Sequence, residues 1–301
     1  MRIVCAVDGS EYAQWGVQAL QALAGKEPEH VVLLHVVDPS LLQTAKGKNP
    51  VAVRRALAAL DKVGTVLLRE AERSARVALG QAGTGPRTQF QTILAHGPFA
   101  KTIARQAKRV KADLILMGSR GLSDIKGFLL GSTSRQVAAI APCSLLVIKQ
   151  PLARFSHVAL AVDDSKPSRA AARFLRTRIL PESATVSILT SVESPVTDLA
   201  SRYLSESQVA SLTQPVMSLA TSLVSALRDD FIKDGYPAVP HVRMNHVIDT
   251  IVTHVEAEQN DLLVFGSREL TKTERLHLGS VSETLLRHAP CSVLIVRGTR
   301  A

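Results

Sequence analysis

Two neighbouring stretches decide the fold: Asp113-Leu-Ile-Leu-Met-Gly-Ser-Arg-Gly121 and, nine residues later, Gly131-Ser-Thr-Ser-Arg-Gln-Val-Ala-Ala-Ile-Ala141. The apolar run at the start predicts a buried strand, and the apolar spacing at the end predicts a helix. A helix N-terminus offers unpaired N–H groups and a partial positive charge. Glycines just before it let an anion approach the backbone without a Cβ in the way. The two stretches therefore predict a phosphate-binding loop, to which Ser132 and Thr133 can add hydroxyl donors.

The chain of 301 residues contains this unit twice. A period of about 150 residues indicates a domain duplication, because solenoid repeats run about 20–50 residues. We predict two domains, residues 1–150 and 156–301, which join at a short junction over Lys149–Ser156 and pack against one another. The repeated blocks are Ala6-Val-Asp-Gly-Ser10 with Ala161-Val-Asp-Asp-Ser165, Ala112–Arg120 with Asn260–Arg268, Leu130–Ser134 with Leu278–Ser282, and Ala141–Ile148 with Ala289–Val296.

Each half alternates apolar, β-branched runs with helical patterns. This alternation predicts an α/β fold in which helices cover both faces of a parallel sheet and ligands bind beyond the carboxyl ends of the strands. The whole chain should form two doubly wound parallel five-stranded sheets, packed as a pseudo-twofold pair. The predicted strands are Arg2–Asp8, His30–Val37, Arg87–His96, Asp113–Gly118, Ser144–Lys149, Val158–Asp163, Thr185–Ser191, His241–Val247, Asp261–Gly266 and Ser292–Arg297.

The spacing Gly-x2-Gly-x9-Gly-Ser/Thr resembles the nucleotide-binding motif of the universal stress protein family. It matches at Gly118, Gly121, Gly131 and Ser132. The resemblance covers both halves, so the chain resembles a tandem member. It implies a universal-stress-protein-like, adenine nucleotide alpha hydrolase-like fold. Family domains pair through their last strands, which implies that Ser144–Lys149 and Ser292–Arg297 form the pseudo-twofold contact.

The resemblance also implies an adenine nucleotide as ligand of the first half, namely ATP with Mg²⁺. Asp8 ends the first strand, where its carboxylate can accept from a ribose hydroxyl or the adenine amine, or meet a metal bound to phosphates. Val36 would contact adenine through its backbone. His35, mid-strand among apolar residues, is interpreted as a core histidine. No catalytic or metal-binding residue is predicted, and the predicted nucleotide-binding residues are Ala6, Asp8, Val36, Met117, Gly118, Ser119, Arg120, Gly121, Gly131, Ser132 and Thr133.

The motif is incomplete in the second half. Asp163, Gly266, Gly279 and Ser280 match their counterparts. At four other positions, however, the residues differ: Glu269 replaces Gly121, Val281 replaces Thr133, and Asn245-His246 replaces Gly97-Pro98. A glutamate brings a negative charge to the place where phosphate should approach, so triphosphate binding is in doubt at the second site.

Composition limits the partners. All of the net charge of +10 belongs to residues 1–150, with 20 Lys and Arg against 10 Asp and Glu, while residues 151–301 carry 16 of each. That charge suits an anionic ligand. Nucleic acid is disfavoured because aromatic residues make up only 4% and no nucleic-acid-binding signature is present.

The sequence also indicates the cellular compartment in which the chain is expected. No run reaches the roughly 18 apolar residues needed to span a bilayer, so no membrane association is expected. Ile3–Val7 is too short for a signal peptide. Cys5, Cys143 and Cys291 lie in or beside predicted strands, which indicates buried thiols in a reducing, cytoplasmic environment.

Three classes of function fit these patterns. The leading hypothesis is a nucleotide-binding regulatory or stress-response protein that changes its shape or its partners when nucleotide binds. Its expected partners are another protein or a second copy of the chain. The second is an enzyme, a slow ATPase or a protein that phosphorylates itself on Ser132 or Thr133. The motifs of the common nucleotide enzymes and of serine hydrolases are missing. The third is a purely structural module whose loops bind another protein.

Overall fold

A computed structural model describes residues 1–26, 28–40, 42, 50–81, 88–121, 130–196, 203–267 and 278–298. Helices lie on both faces of a single ten-stranded sheet in the order β3-β2-β1-β4-β5-β10-β9-β6-β7-β8. The strands are β1 (Arg2–Ala6), β2 (His30–Val37), β3 (Gln89–His96), β4 (Leu114–Gly118), β5 (Ser144–Ile148), β6 (His157–Ala161), β7 (Thr185–Val192), β8 (Ala238–Met244), β9 (Leu262–Ser267) and β10 (Ser292–Arg297).

The described helices occur in equivalent places in the two halves. A 3₁₀ segment, Ala19–Lys26, continues the first helix, and a π segment, Leu175–Ile179, continues its counterpart. The helices are α1 (Glu11–Gln18), α2 (Pro50–Gln81), α3 (Phe99–Arg109), α4 (Ser132–Ile140), α5 (Lys166–Phe174), α6 (Glu206–Lys233), α7 (Val247–Ala257) and α8 (Ser280–His288).

The two predicted five-stranded parallel sheets are present but join edge to edge. β5 and β10 pair antiparallel, with Leu146 opposite Leu294, whereas all other strand pairs in the sheet are parallel. The contact between the last strands is therefore confirmed. The predicted strand over 241–247 is three residues too late, because β8 ends at Met244 and Val247 begins α7.

Two cations at equivalent positions cross the junction between the halves. Lys149 Nζ donates to the carbonyl of Ala289, just after α8, at 2.6 Å. Arg297, which ends β10, donates to the carbonyls of Ala138 and Ala139 in the last turn of α4. Helix C-termini present unpaired carbonyls and a partial negative charge, so each half caps a helix of the other. Burial lowers the pKa of Lys149 to about 8.

The sheet separates two apolar cores. One is formed with α1, α2, α5 and α6, and its large buried side chains include Leu20, Phe155 and Phe231. The other is formed with α3, α4, α7 and α8, through residues such as Val137 and Leu285. The four helices of each set therefore cover one face of the sheet across both halves.

One helix among the described residues, α6, is long and apolar enough to cross a membrane, judged by length and composition only. The expectation that no segment is long and apolar enough to span a bilayer is therefore wrong by this measure. Pro215 and many hydroxyl residues interrupt the apolar run, but no charged residue lies between Glu206 and Arg228. In the fold, α6 buries Val224 and Phe231.

The cysteines are buried, as the sequence predicts. Burial raises the pKa of Cys5, Cys143 and Cys291 to about 12 in each case. Since the thiolate is the reactive form, these three side chains act as small apolar core residues.

Candidate functional site

A cavity of about 380 Å³ opens at the carboxyl ends of β1, β2 and β4, where the sequence places the ligand. Its volume is within the range of small-molecule sites. Most of the predicted nucleotide-binding residues line it. These are Ala6, Asp8, Val36, Met117, Gly118, Arg120, Gly121 and Thr133.

Three predicted residues, Ser119, Gly131 and Ser132, do not line the cavity but hold its loop. Ser119 is buried, its N–H donates to Ile148 at 2.8 Å, and its carbonyl accepts from the Gly131 N–H at 2.8 Å. Gly131 is the N-cap of α4, and Ser132 is the first residue of that helix. Together they place the N-terminus of α4, and with it Thr133, at the cavity.

Gly118 is required by helix packing before any ligand is considered. A Cβ at this position would lie 2.5 Å from the carbonyl carbon of Tyr12 in α1. In the second half, a Cβ on Gly266 would lie 2.3 Å from the backbone of Pro167. Gly118 is therefore needed for packing as well as for the predicted approach of an anion, because α1 and β4 come too close for any side chain.

Asp8 lines the cavity and also starts α1. Its Oδ1 accepts from the Ser10 N–H at 2.9 Å and from the Ser10 hydroxyl at 2.6 Å. The Ser10 hydroxyl in turn accepts from the Ala13 N–H and caps the helix. Asp163 and Ser165 form the same turn before α5. The repeated Asp-x-Ser is thus a structural element of both halves, and in the first it also presents a carboxylate to the cavity.

Arg120 gives the cavity a fixed positive charge. Its Nη1 donates to the Tyr12 hydroxyl at 3.0 Å, and its guanidinium carbon lies 5.3 Å from the centre of the Tyr12 ring. Trp15 packs edge-on against Tyr12, with ring centres 4.6 Å apart. The buried Nε of Arg120 finds no acceptor within the described part of the chain. Arg120 was predicted from the sequence, but Tyr12 was not. The two residues are brought together only by the packing of α1 against β4.

Apolar side chains from two helices also line the cavity, and no sequence pattern predicted them. They are Leu60, Val63 and Leu67 of α2 and Phe99 and Ile103 of α3. Spacings of three and four residues put the α2 side chains on one helical face. Which face of α2 meets the cavity is a property of the tertiary fold, so no local signal identified them.

His35 is hydrogen-bonded as expected, but it is half-buried and lines the cavity, so it is not a core residue. Its Nδ1 lies 2.8 Å from the carbonyl oxygen of Val7. A Cβ on Gly64 of α2 would lie 2.7 Å from the imidazole, so the helix passes directly over the ring. Both contacts fix the ring against the sheet.

No cluster of three or more His, Cys, Asp or Glu side chains able to hold a metal occurs in the described ranges.

The second half keeps the framework of the site with different side chains. Gly279 is the N-cap of α8, as Gly131 is of α4. Val281 takes the place of Thr133 and is 38% exposed, and His246 is the N-cap of α7 where Pro98 is that of α3. Glu269 lies outside the described residues. At α8 an apolar side chain thus stands where the first half has the hydroxyl of Thr133.

Comparison with known proteins supports the fold and the duplication. The family model described as "Universal stress protein family" matches residues 1–149 and again residues 154–297. A universal stress protein of Thermus aquaticus is 32% identical over 148 residues, which are 97% of its length and 49% of this chain. The universal stress protein YxiE of Bacillus subtilis is 28% identical over 148 residues, 98% of its length and 49% of this chain.

Solved structures agree in fold. A universal stress protein from Archaeoglobus fulgidus has a TM-score of 0.71 at 18% identity, with 98% of both chains covered. Family structures that match one half of the chain include a universal stress protein in complex with cAMP and an Arabidopsis thaliana family protein with AMP bound. Their TM-scores are 0.36 and 0.34, which is too low to transfer a ligand to this chain. The cAMP and the AMP are therefore reported as ligands of those two proteins.

The duplicated strand–loop–helix unit, the shared sheet order and the match of both halves to one family lead to a single conclusion. This chain belongs to the universal stress protein family and carries two domains of that family in tandem.

Proposed function

We propose that the first half binds ATP and that the chain is a nucleotide-dependent regulatory protein of the stress response. The observation that carries the proposal is a cavity of about 380 Å³ at the carboxyl ends of β1, β2 and β4. Its lining combines apolar side chains with a glycine loop, a residue of the first turn of α4 and the Arg120 side chain. A flat heterocycle with a charged tail matches both kinds of lining group.

The apolar lining residues would hold the base. They include Val36 at the end of β2, Val63 of α2 and Phe99 of α3. Burying a ring between such side chains is favourable by about 25 cal/mol for each Å² removed from water. The backbone of Val36 would then make the contact to adenine that the family resemblance implies.

The glycine loop and the start of α4 would hold the phosphates. Gly121 and Thr133 line the cavity, and α4 directs its free N–H groups and the positive end of its dipole towards the loop. Arg120, whose buried Nε has no acceptor among the described residues, would add a charged donor. Mg²⁺ bound to the phosphates would neutralise their charge, and the carboxylates that line the cavity, Asp8 and Asp38, are the side chains that it would meet.

Regulation is preferred to catalysis because the acidic and histidine side chains in the described lining of the cavity already take part in hydrogen bonds. Asp8 Oδ1 accepts two, Asp38 Oδ1 accepts one from the Ser40 N–H, and Nδ1 of His35 is engaged with the Val7 carbonyl. Help from a general base is typically worth about 10²–10⁴-fold in rate. Hydrolysis, or transfer of phosphate to the Thr133 hydroxyl in the cavity, is therefore proposed only as a slow side reaction.

The test is calorimetric titration of the purified chain and of Gly121→Glu with ATP and Mg²⁺. A carboxylate about 5 Å from a phosphate repels it by roughly 3 kcal/mol at an effective dielectric near 20. Even half of that weakens affinity about tenfold. Gly80→Glu is the matched control, because it makes the same substitution in α2 where a Cβ has no neighbour within 4 Å. Equal ATP affinity of Gly121→Glu and the unmutated chain would contradict the proposal.

A further inference from the structure

Two equivalent helices on one face of the sheet carry opposite charge. α3 contains the cations Lys101, Arg105, Lys108 and Arg109 and no acidic residue. α7 has the same length of 11 residues, contains Asp249 and Glu256, and has neither Lys nor Arg. Sequence position makes the contrast sharper, because Lys101 and Asp249 are the third residues of their helices and Lys108 and Glu256 the tenth.

These charged side chains are exposed and make few ion pairs with the described residues of the chain. Lys101, Lys108, Asp249 and Glu256 are all exposed. Neither lysine has a carboxylate within 4.0 Å among the described residues, and Asp249 meets only His246 at 3.7 Å. The fold therefore does not require the charge difference.

The two helices lie at opposite margins of the same surface. α3 packs on α4 and α7 packs on α8, and Arg135 of α4 reaches Glu283 of α8 at 3.8 Å across the junction. All four helices contribute to the same core. The surface, called here the α3–α7 face, is thus basic along one margin and acidic along the other.

We propose that the α3–α7 face binds a second copy of this chain. A twofold axis parallel to the strands would place α3 of each copy across α7 of the other. The strands of the two halves run in opposite directions because β5 and β10 are antiparallel, so α3 and α7 also run in opposite directions. In the dimer, Lys101 would face Glu256 of the second copy, and Lys108 would face Asp249.

The size of the face allows such a dimer and limits its strength. Four helices about 10 Å apart and about 16 Å long cover roughly 600 Å² on each copy. That is near the lower end for specific interfaces, of which each partner typically contributes about 800 Å². Exposed charge pairs contribute mainly specificity and add little affinity. The expected complex is a weak, salt-sensitive dimer.

Sedimentation velocity of the full chain without nucleotide tests the proposal. The dimer should form at about 0.1 M salt and weaken at about 1 M, since the Debye length falls from about 10 to about 3 Å. A monomer at every protein concentration at the lower salt would overturn it. Because no nucleotide is present, the result is independent of the proposed ATP site.

Charge reversal identifies the face. Lys101→Glu with Lys108→Glu should weaken the dimer at least about tenfold, because the symmetry repeats each pair. Adding Asp249→Lys and Glu256→Lys should restore it. Lys62→Glu with Arg69→Glu on α2, on the opposite side of the sheet, is the matched control and should leave the dimer unchanged.

Two outcomes would reject the second copy as partner. One is a dimer whose strength does not change in the Lys101→Glu, Lys108→Glu variant. The other is a chain that stays monomeric but binds an oligonucleotide through α3, with binding lost in that variant and not recovered by the two acidic-to-lysine changes.

Discussion

Gly118 and Gly266 show how a single residue can serve the fold and the site together. Each lies at the end of a strand, β4 or β9, where a helix N-terminal turn presses its backbone on the glycine. A motif glycine beside a ligand loop therefore has a packing requirement that would persist without any ligand. Gly121, which lines the cavity, is the better position at which to test nucleotide binding.

We expect Gly118→Ala to destabilise the fold, because its Cβ would lie 2.5 Å from the backbone of Tyr12. Overpacking of this kind typically costs about 1–3 kcal/mol. Gly80→Ala, in α2 with no neighbour within 4 Å of the new Cβ, should be neutral or stabilise by up to about 1 kcal/mol. Urea midpoints measure both, and a Gly118→Ala midpoint equal to that of the unmutated chain would refute the packing argument.

At the scale of elements, β8 and α7 meet through two histidines. The rings of His241 and His254 lie 4.5 Å apart. Burial lowers the pKa of both, and each has Arg243 nearby as a further lowering influence, while Glu258 raises both. The neighbouring His241 ring further lowers the pKa of His254. This contact resists protonation.

The pair should make stability fall in mild acid. Because the pKa of each histidine is lower in the folded state than the usual 6.5, the unfolded chain binds more protons below that pH. Stability is therefore lost as pH falls from above 6.5 towards the folded pKa. Urea midpoints between pH 7.5 and about 5 should show this decline, given the usual histidine range.

Two variants test the assignment to the pair. His241→Gln combined with His254→Gln should reduce the decline, because the titrating rings are gone. Glu258→Gln should steepen it, since that carboxylate raises the pKa of both rings. An identical pH profile in the double glutamine variant would assign the acid sensitivity to other groups.

At the scale of the whole molecule, duplication produced one continuous sheet with unequal halves. Lys149 and Arg297 each cap a helix of the opposite half, so the two domains depend on one another for helix termini. The halves have diverged at the glycine loop and at the charged margins of the α3–α7 face. The framework is symmetric, while the chemistry placed on it is asymmetric.

This asymmetry predicts about one ATP per chain at micromolar nucleotide, since even one added carboxylate repels phosphate strongly. Val281 removes the hydroxyl that Thr133 provides, and Glu269, outside the described residues, replaces Gly121. Calorimetry gives the stoichiometry. Glu269→Gly with Val281→Thr should strengthen the second site, whereas two equivalent sites in the unmutated chain would contradict the prediction.

The sequence by itself determined the family, the duplication, most strand positions and the loop at which the cavity opens. These follow from short-range patterns: apolar runs, glycines at strand ends and hydroxyl residues at helix starts. Most of the predicted residues, including Asp8, Val36 and Thr133, do line one cavity. Their role in binding ATP stays a prediction.

Only the tertiary structure decided what depends on contacts between distant segments. It turned one face of α2 towards the cavity, placed Arg120 on Tyr12, and made the predicted contact of β5 with β10 an antiparallel pairing within one continuous sheet. The pattern along a helix gives its apolar face but not the group that this face will meet. That choice is made by close packing of whole elements, which short stretches of sequence do not encode.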